Sequence, residues 1–400
     1  MYNLCILVFF GFLCLSTIDS VNGATIEEFE DDVHLNITEL VRKYKYDFEE
    51  HDVVTEDGYI LKIHRILPKN VNNSRVVFLM HGILDSSDSW VLQGPDSLPY
   101  VLVNHGFDVW MGNARGNKHS NLHTNMSRND LDFWKFTWEE IGVYDLPAMI
   151  DYILNVSMED SLYYVGHSQG TTNFFVMNSL KPNYISKIRM MFALAPIAWL
   201  SHAKSPIIKY LANLEYILNI NAYTSSTESF SFLETLCFYI PGCGNILQSI
   251  IGKDNTFINQ SLIPVIKSHV PSTSSTLQFV HYGQIYLSGN FSRFDYGLSG
   301  NLIKYGQEIP PLYNLRNITV PTVLFYSSND WLSDVKDVSI LYNKLPNVYN
   351  TYLMKDFNHL DYMYAGVAKV SIYPFCLHGY TFSTVKKCDL CFFFNCSKMR

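Results

Sequence analysis

The sequence predicts an α/β protein built on a mainly parallel, doubly wound sheet, with a helical cap and lid inserted late in the chain. Three observations carry this. Short, unbroken apolar runs alternate with helical stretches. The pentapeptide Gly166-His167-Ser168-Gln169-Gly170 stands between one such run and a helix. The stretch from Leu194 to Val323 is too long for a loop.

Val76-Val77-Phe78-Leu79-Met80, ending at His81-Gly82, has the continuous apolarity of a strand buried on both faces. Phe107 to Met111, Leu162 to Val165, Met190 to Leu194 and Val323 to Tyr326 repeat the pattern. Residues 53–66 alternate about a Glu56-Asp57-Gly58 turn, a hairpin signal. Helical spacing is clearest from Trp138 to Leu154 and returns from Thr171 to Leu180. Buried strands alternating with helices imply parallel pairing.

A Gly-x-Ser-x-Gly between strand and helix is the signature of a nucleophile elbow. So tight a turn strains the serine backbone, and glycines remove the Cβ atoms that would collide there. The serine Oγ is then pushed out at the sheet's C-terminal edge. The N–H of Gln169 lies beside it at a helix N-terminus.

A serine hydroxyl needs an imidazole to take its proton, and the imidazole needs a carboxylate to fix its tautomer. On a sheet with such an elbow the chain order is Ser, acid, His. Asp330, in the polar loop Ser327-Ser328-Asn329-Asp330, follows a late strand and is the expected acid. Asp334 and Asp337 are rivals with the look of helix N-terminal carboxylates. A last strand from Asn350 to Met354 leads to Asp356-Phe357-Asn358-His359, making His359 the expected base. The N–H groups of Ile83, after His81-Gly82, and Gln169 are the expected oxyanion donors. His81 and His167, at buried strand ends, read as packed structural histidines.

The whole chain narrows the context. It has 400 residues, 48% of them hydrophobic, and a net charge of −8 without a basic cluster, which excludes a nucleic-acid partner. Residues 1–23 read as a secretory signal, apolar from Leu4 to Leu15 with a small-residue site at Val21-x-Gly23. No other segment is long enough to cross a membrane. Glycosylation sequons begin at Asn36, Asn72, Asn125, Asn155, Asn259, Asn290, Asn317 and Asn395 and fit an exported glycoprotein. Cys237 and Cys243 form a local pair, while Cys376, Cys388, Cys391 and Cys396 crowd the tail. In an exported protein these read as disulfides before metal ligands, with the connectivity open. No metal or cofactor is expected. Core segments are assigned to 24–196 and 311–373, the cap to 197–310, and an irregular Cys- and Phe-rich tail to 374–400. In the cap, Ile207, Leu211, Leu214 and Leu218 share one helical stripe, a packing face or a lid face that meets lipid.

Five motifs together resemble the acid lipase family, which includes gastric and lysosomal acid lipases and many insect homologues. They are Val54-Thr55-Glu56-Asp57-Gly58-Tyr59, Leu79-x-His81-Gly82, Trp110-x-Gly112-Asn113-x-Arg115-Gly116-Asn117, the Ser168 pentapeptide and Asn358-His359-Leu360-Asp361. The resemblance runs from about residue 30 to 373. It implies an α/β-hydrolase core, a mobile lid over the serine, and hydrolysis of acylglycerols or sterol esters at a lipid–water interface without cofactor. It implies Ser168 as nucleophile, Asp330 as acid, His359 as base, and Ile83 and Gln169 as oxyanion donors. Secretion is the expected destination, with the lysosomal lumen as the alternative. Vertebrate members pair two cap cysteines. The positions of Cys237 and Cys243 are kept here without the earlier partner, so a Cys237–Cys243 bridge is the candidate. The family's long amphipathic helix after the histidine is matched only from Tyr362 to Tyr373, where Pro374 stops it. A non-catalytic lipid carrier or yolk-type homologue, and a small-ester carboxylesterase, are the competing functional readings.

Overall fold

The computed structural model describes residues 29, 31–69, 75–206, 208 and 257–373. The expected signal, Asn72, the Ile207 to Leu218 stripe, Cys237, Cys243 and the tail with Asn395 lie outside the described residues.

After α1 (Ile37–Lys43), capped by Asn36, the chain forms the hairpin β1 (Phe48–Val54) and β2 (Tyr59–Ile66). Then come β3 (Arg75–Met80), α2 (Leu98–Asn104), β4 (Phe107–Met111) and the short β5 (Leu122–His123). A helical stretch from Trp138 runs into α3 (Leu146–Ser157). β6 (Leu162–His167), α4 (Gln169–Leu180) and β7 (Ile188–Leu194) follow. Between β7 and β8 (Thr322–Tyr326) the described residues hold α5 (Ile263–His269), α6 (Thr276–Ser288) and α7 (Gly297–Tyr305). The sheet closes with α8 (Val335–Lys344) and β9 (Val348–Leu353).

The strand order is β1-β2-β4-β3-β6-β7-β8-β9, with β5 added to β2. The pairs from β4 to β9 along this order are parallel, and those made by β2 are antiparallel. Both faces of β3 are covered: Val77 to Met80 are fully buried. Each such side chain contributes about 2 kcal/mol of transfer free energy. Helices therefore lie on both sides of the parallel strands, and their loops gather at the C-terminal edge.

Three sequence expectations shift. The helix expected from Trp138 to Leu154 carries a π-turn at Ile141–Asp145 before α3 begins. Pro147 has no N–H for the carbonyl four residues back, and Leu146 instead bonds to Ile141 O, five residues back. The last strand starts at Val348 because pairing with β8 begins at Thr322↔Val348. The helical pattern from Tyr362 to Tyr373 is split into Asp361–Tyr364 and Ala368–Ser371. The break falls where Ala365 bridges to Ile258 and Gly366 N donates to Phe257 O, so the chain leaves helix to pair with the inserted segment.

Two of the motifs meet around Arg115. The Arg115 side chain, 1% exposed, donates to Asp145 Oδ1 at 2.7 Å and to both oxygens of Asp57 at 2.6 and 2.8 Å. Tyr59 lies against the same guanidinium, 4.0 Å from ring centroid to Cζ. The hairpin turn, the loop after β4 and the π-turn are thereby tied together. Removing one partner of so buried a cluster costs about 3–5 kcal/mol.

Candidate active site

Ser168 occupies the turn between β6 and α4 with φ 52° and ψ −117°. A non-glycine residue held there stores roughly 1–3 kcal/mol of strain. The glycines are demanded by close approach. A Cβ on Gly166 would stand 2.8 Å from the Gly170 carbonyl carbon, and one on Gly170 would strike Met80 O. A Cβ on Gly82 would meet Ser168 Cβ at 3.2 Å, so the loop after β3 is pressed against the serine.

His359 Nε2 lies 2.7 Å from Ser168 Oγ, and Nδ1 lies 2.8 Å from Asp330 Oδ2 and 3.0 Å from Oδ1. With Nδ1–H donating to the carboxylate, Nε2 is left as the acceptor for the serine hydroxyl. All three are buried: 6% exposed for Ser168, 3% for His359 and 0% for Asp330. Asp330 also accepts the N–H groups of Leu332 and Ser333, each at 2.9 Å, which fixes its plane. The Asn358-His359-Leu360-Asp361 motif is a self-closing turn. Asn358 Oδ1 accepts from Leu360 N and Asp361 N, and Asp361 Oδ2 accepts from Asn358 N. The rival carboxylates stand elsewhere. Asp334 caps α8 through Lys336 N, and Asp337 in its first turn pairs with His202.

Gln169 follows the serine directly, and Ile83 lines the same cavity as Ser168. Among the described residues neither backbone N–H has a protein acceptor. Gln169 opens α4, where the helix dipole favours negative charge. His81 sets the loop: Nδ1–H donates to Gly82 O at 2.7 Å, and Nε2 accepts Ala114 N–H at 3.1 Å. Because C=O and N–H point oppositely across a trans peptide, this bond turns the Ile83 N–H the other way. Burial lowers the His81 pKa to about 4, so the ring is neutral near pH 7. His167 donates from Nε2 to His359 O at 2.9 Å. Its pKa falls to about 3, through burial first and the neighbouring His359 charge second. Each ring is thereby bonded to backbone of the loops around the serine, and among the described residues neither is hydrogen-bonded to Ser168.

A cavity opens in front of Ser168. Its apolar walls include Leu332 in the loop after β8 and Ile197, Leu200, Val270, Phe279 and Tyr282 from the segment between β7 and β8. The inserted segment also reaches the elbow itself, where Gln169 Nε2 donates to Gln278 Oε1 on α6 at 2.7 Å. Sequence reasoning missed Gln278, a contact across 109 positions that no local pattern announces. A nucleophile with an oriented base, two free N–H groups and an apolar chamber can perform acyl transfer on an apolar ester. Among the described residues no group of three or more His, Cys, Asp or Glu is placed to hold a metal, and no helix is long and apolar enough to cross a membrane.

Comparison with known proteins agrees with this geometry. The family model for the alpha/beta hydrolase fold matches residues 75–365, and that for the partial alpha/beta-hydrolase lipase region matches residues 37–94. Lipase 1 of Drosophila melanogaster is 40% identical, covering 85% of this chain and 78% of its own length. The human lysosomal acid lipase/cholesteryl ester hydrolase is 35% identical (86% and 90% covered), and bovine gastric triacylglycerol lipase 36% (85% and 89%). Among solved structures, a bacterial membrane phospholipase A superposes with TM-score 0.53 at 13% identity, covering 95% of this chain and 100% of its own. An epoxide hydrolase from Vigna radiata gives TM-score 0.50 at 14% identity (83% and 98% covered), so the fold alone does not name the reaction. The chain belongs to the α/β-hydrolase fold family, in the lipase branch that holds the gastric and lysosomal acid lipases.

Proposed function

We propose that this chain is an exported glycoprotein lipase that hydrolyses carboxylic esters of neutral lipids, triacylglycerols among them, at a lipid–water interface. The reading rests on one observation above others: a single imidazole, His359, bridges Ser168 and Asp330 from loops that follow three different strands. Ser168 Oγ attacks the ester carbonyl as its proton passes to His359 Nε2, and Asp330 stabilises the imidazolium. The Ile83 and Gln169 N–H groups receive the oxyanion. The alcohol leaves with the proton from Nε2, and water, deprotonated in turn by His359, hydrolyses the acyl-enzyme. The insertion between β7 and β8, residues 197–310, acts as the cap, and its described residues Val270, Phe279 and Tyr282 wall the apolar chamber. The six described sequon asparagines, Asn36, Asn125, Asn155, Asn259, Asn290 and Asn317, are all exposed, which supports glycosylation and export, to the cell exterior or to the lysosomal lumen.

A fluorophosphonate probe and an assay of oleate release test the reading together. Purified protein should be labelled at Ser168 and should release oleate from emulsified triolein, with cholesteryl oleate assayed beside it from acid to neutral pH. Protein that takes no label and releases no oleate from either ester is a carrier, and the proposal fails. Activity confined to short soluble esters would replace the lipase reading with a carboxylesterase.

A further inference from the structure

The chamber in front of Ser168 is apolar on most sides, yet one wall carries a carboxyl group that ester hydrolysis does not use. Asp85 lies two residues beyond Ile83, after Leu84 in left-handed backbone at φ 57°, and lines the same cavity as Ser168 and His359. It is 9% exposed. Its Oδ1 is engaged, accepting Ser86 N–H at 2.7 Å and the Ser89 hydroxyl, and Ser89 Oγ in turn accepts the Tyr364 hydroxyl at 2.7 Å. Among the described residues no donor reaches Oδ2. A turn-forming role explains the first oxygen and leaves the second unaccounted for. Oδ2 is not enclosed by protein, and Asp85 lines the cavity, so a donor on a ligand in the chamber has access to it.

We infer that Asp85 Oδ2 receives a free hydroxyl of the substrate, so that the site selects esters carrying one hydroxyl near the scissile bond. Partial acylglycerols are the neutral-lipid class with that pattern; triacylglycerols and sterol esters lack it. The inference deepens the ester-hydrolase reading and rests on it. A neutral donor fits better than a cation, because Asp85 is the only carboxyl among the described residues lining the cavity and burial opposes its charge. A site with one unpaired polar group discriminates against ligands that cannot pair it more strongly than an apolar wall discriminates by shape.

The test compares 1,2-dioctanoylglycerol with its 3-O-methyl ether, identical except that the ether cannot donate. Near pH 8, above the value of about 7 to which burial raises this carboxyl, Oδ2 is an acceptor only. Wild-type kcat/KM should favour the free hydroxyl by about tenfold. Asp85→Asn keeps the shape, and its Oδ1 is held by Ser86 N–H and Ser89, so an NH2 faces the chamber instead. The preference should then fall to within about twofold. Equal wild-type rates on the two compounds, or an undiminished preference in D85N, overturn the inference. Hydrolysis of p-nitrophenyl butyrate reads the Ser168 chemistry separately. Its absence in wild type overturns the ester-hydrolase reading and this inference with it, whereas its presence alongside equal rates on the glycerol pair removes only the inference.

Discussion

Gln169 and Gln278 join the catalytic turn to the inserted segment through one hydrogen bond, Nε2 to Oε1, at 2.7 Å. Gln278 is held in turn by its own Nε2, which donates to Ser274 Oγ just before the start of α6. The link is buried, with Gln169 3% and Gln278 1% exposed, so neither amide has water as a substitute. The backbone of Gln169 carries a proposed oxyanion donor, and its side chain is therefore a tether for the helix start. Gln278→Leu leaves the Gln169 amide without that partner. The expected result is a fall of about tenfold in kcat on a soluble p-nitrophenyl ester, with KM little changed. Steady-state kinetics on that ester check it. A variant with normal kcat would restrict the bond to packing.

The three carboxylates that follow β8 should separate cleanly. Asp330→Asn keeps the shape but favours the wrong imidazole tautomer, and kcat should fall by about 10⁴-fold with the fold intact. Asp334→Ala removes the cap on α8 and should lower stability by about 1 kcal/mol without a comparable loss of rate. Asp337→Asn weakens the tie to His202, 40% exposed, and should change the rate least. Urea denaturation beside kcat measurements distinguishes these outcomes.

Asp85 also makes a pH prediction for stability. Burial raises its folded pKa to about 7 from 3.8, with Asp88 opposing ionisation and Lys118 favouring it. Tyr364 faces it from the turn after His359. The folded state then binds more protons than the unfolded chain between about pH 4 and pH 7. Wild-type stability from this group is fully present below that window and declines as pH rises through it. Asp85→Asn removes the dependence. Its melting temperature should match wild type near pH 4, exceed it increasingly toward pH 7, and hold a constant advantage above that. Thermal unfolding at a series of pH values reads this directly, and a constant difference across the series would reject the assigned cause.

Much of this architecture is written locally. A strand buried on both faces must be apolar at every position, which is why Val76 to Met80 and Val323 to Tyr326 stand out in the sequence. Chain order alone leads from Ser168 to Asp330 and His359, because each ends a strand-to-loop transition with the required side chain. The interactions that complete the site cross the chain and leave no such period. Gln278 meets Gln169 across the inserted segment, and His81 acts through a neighbouring peptide rather than on the serine. The π-turn before Leu146 follows from Pro147, a breaker visible in sequence whose local effect depends on the packing of Gly142 against Val176. The split after Tyr364 depends on Phe257 and Ile258, which helical spacing over 362–373 could not reveal.

Ser168, addressed by His359 and Asp330, is the nucleophile in the proposed ester hydrolysis. Initial rates of fatty-acid release from an emulsified triacylglycerol, measured for wild type and for Ser168→Ala at equal folded concentration, test it most directly. The expected result is a loss of at least about 10⁴-fold in kcat with the melting temperature preserved, because alanine keeps the Cβ and the backbone conformation of the turn. A Ser168→Ala protein that keeps within tenfold of the wild-type rate would contradict it.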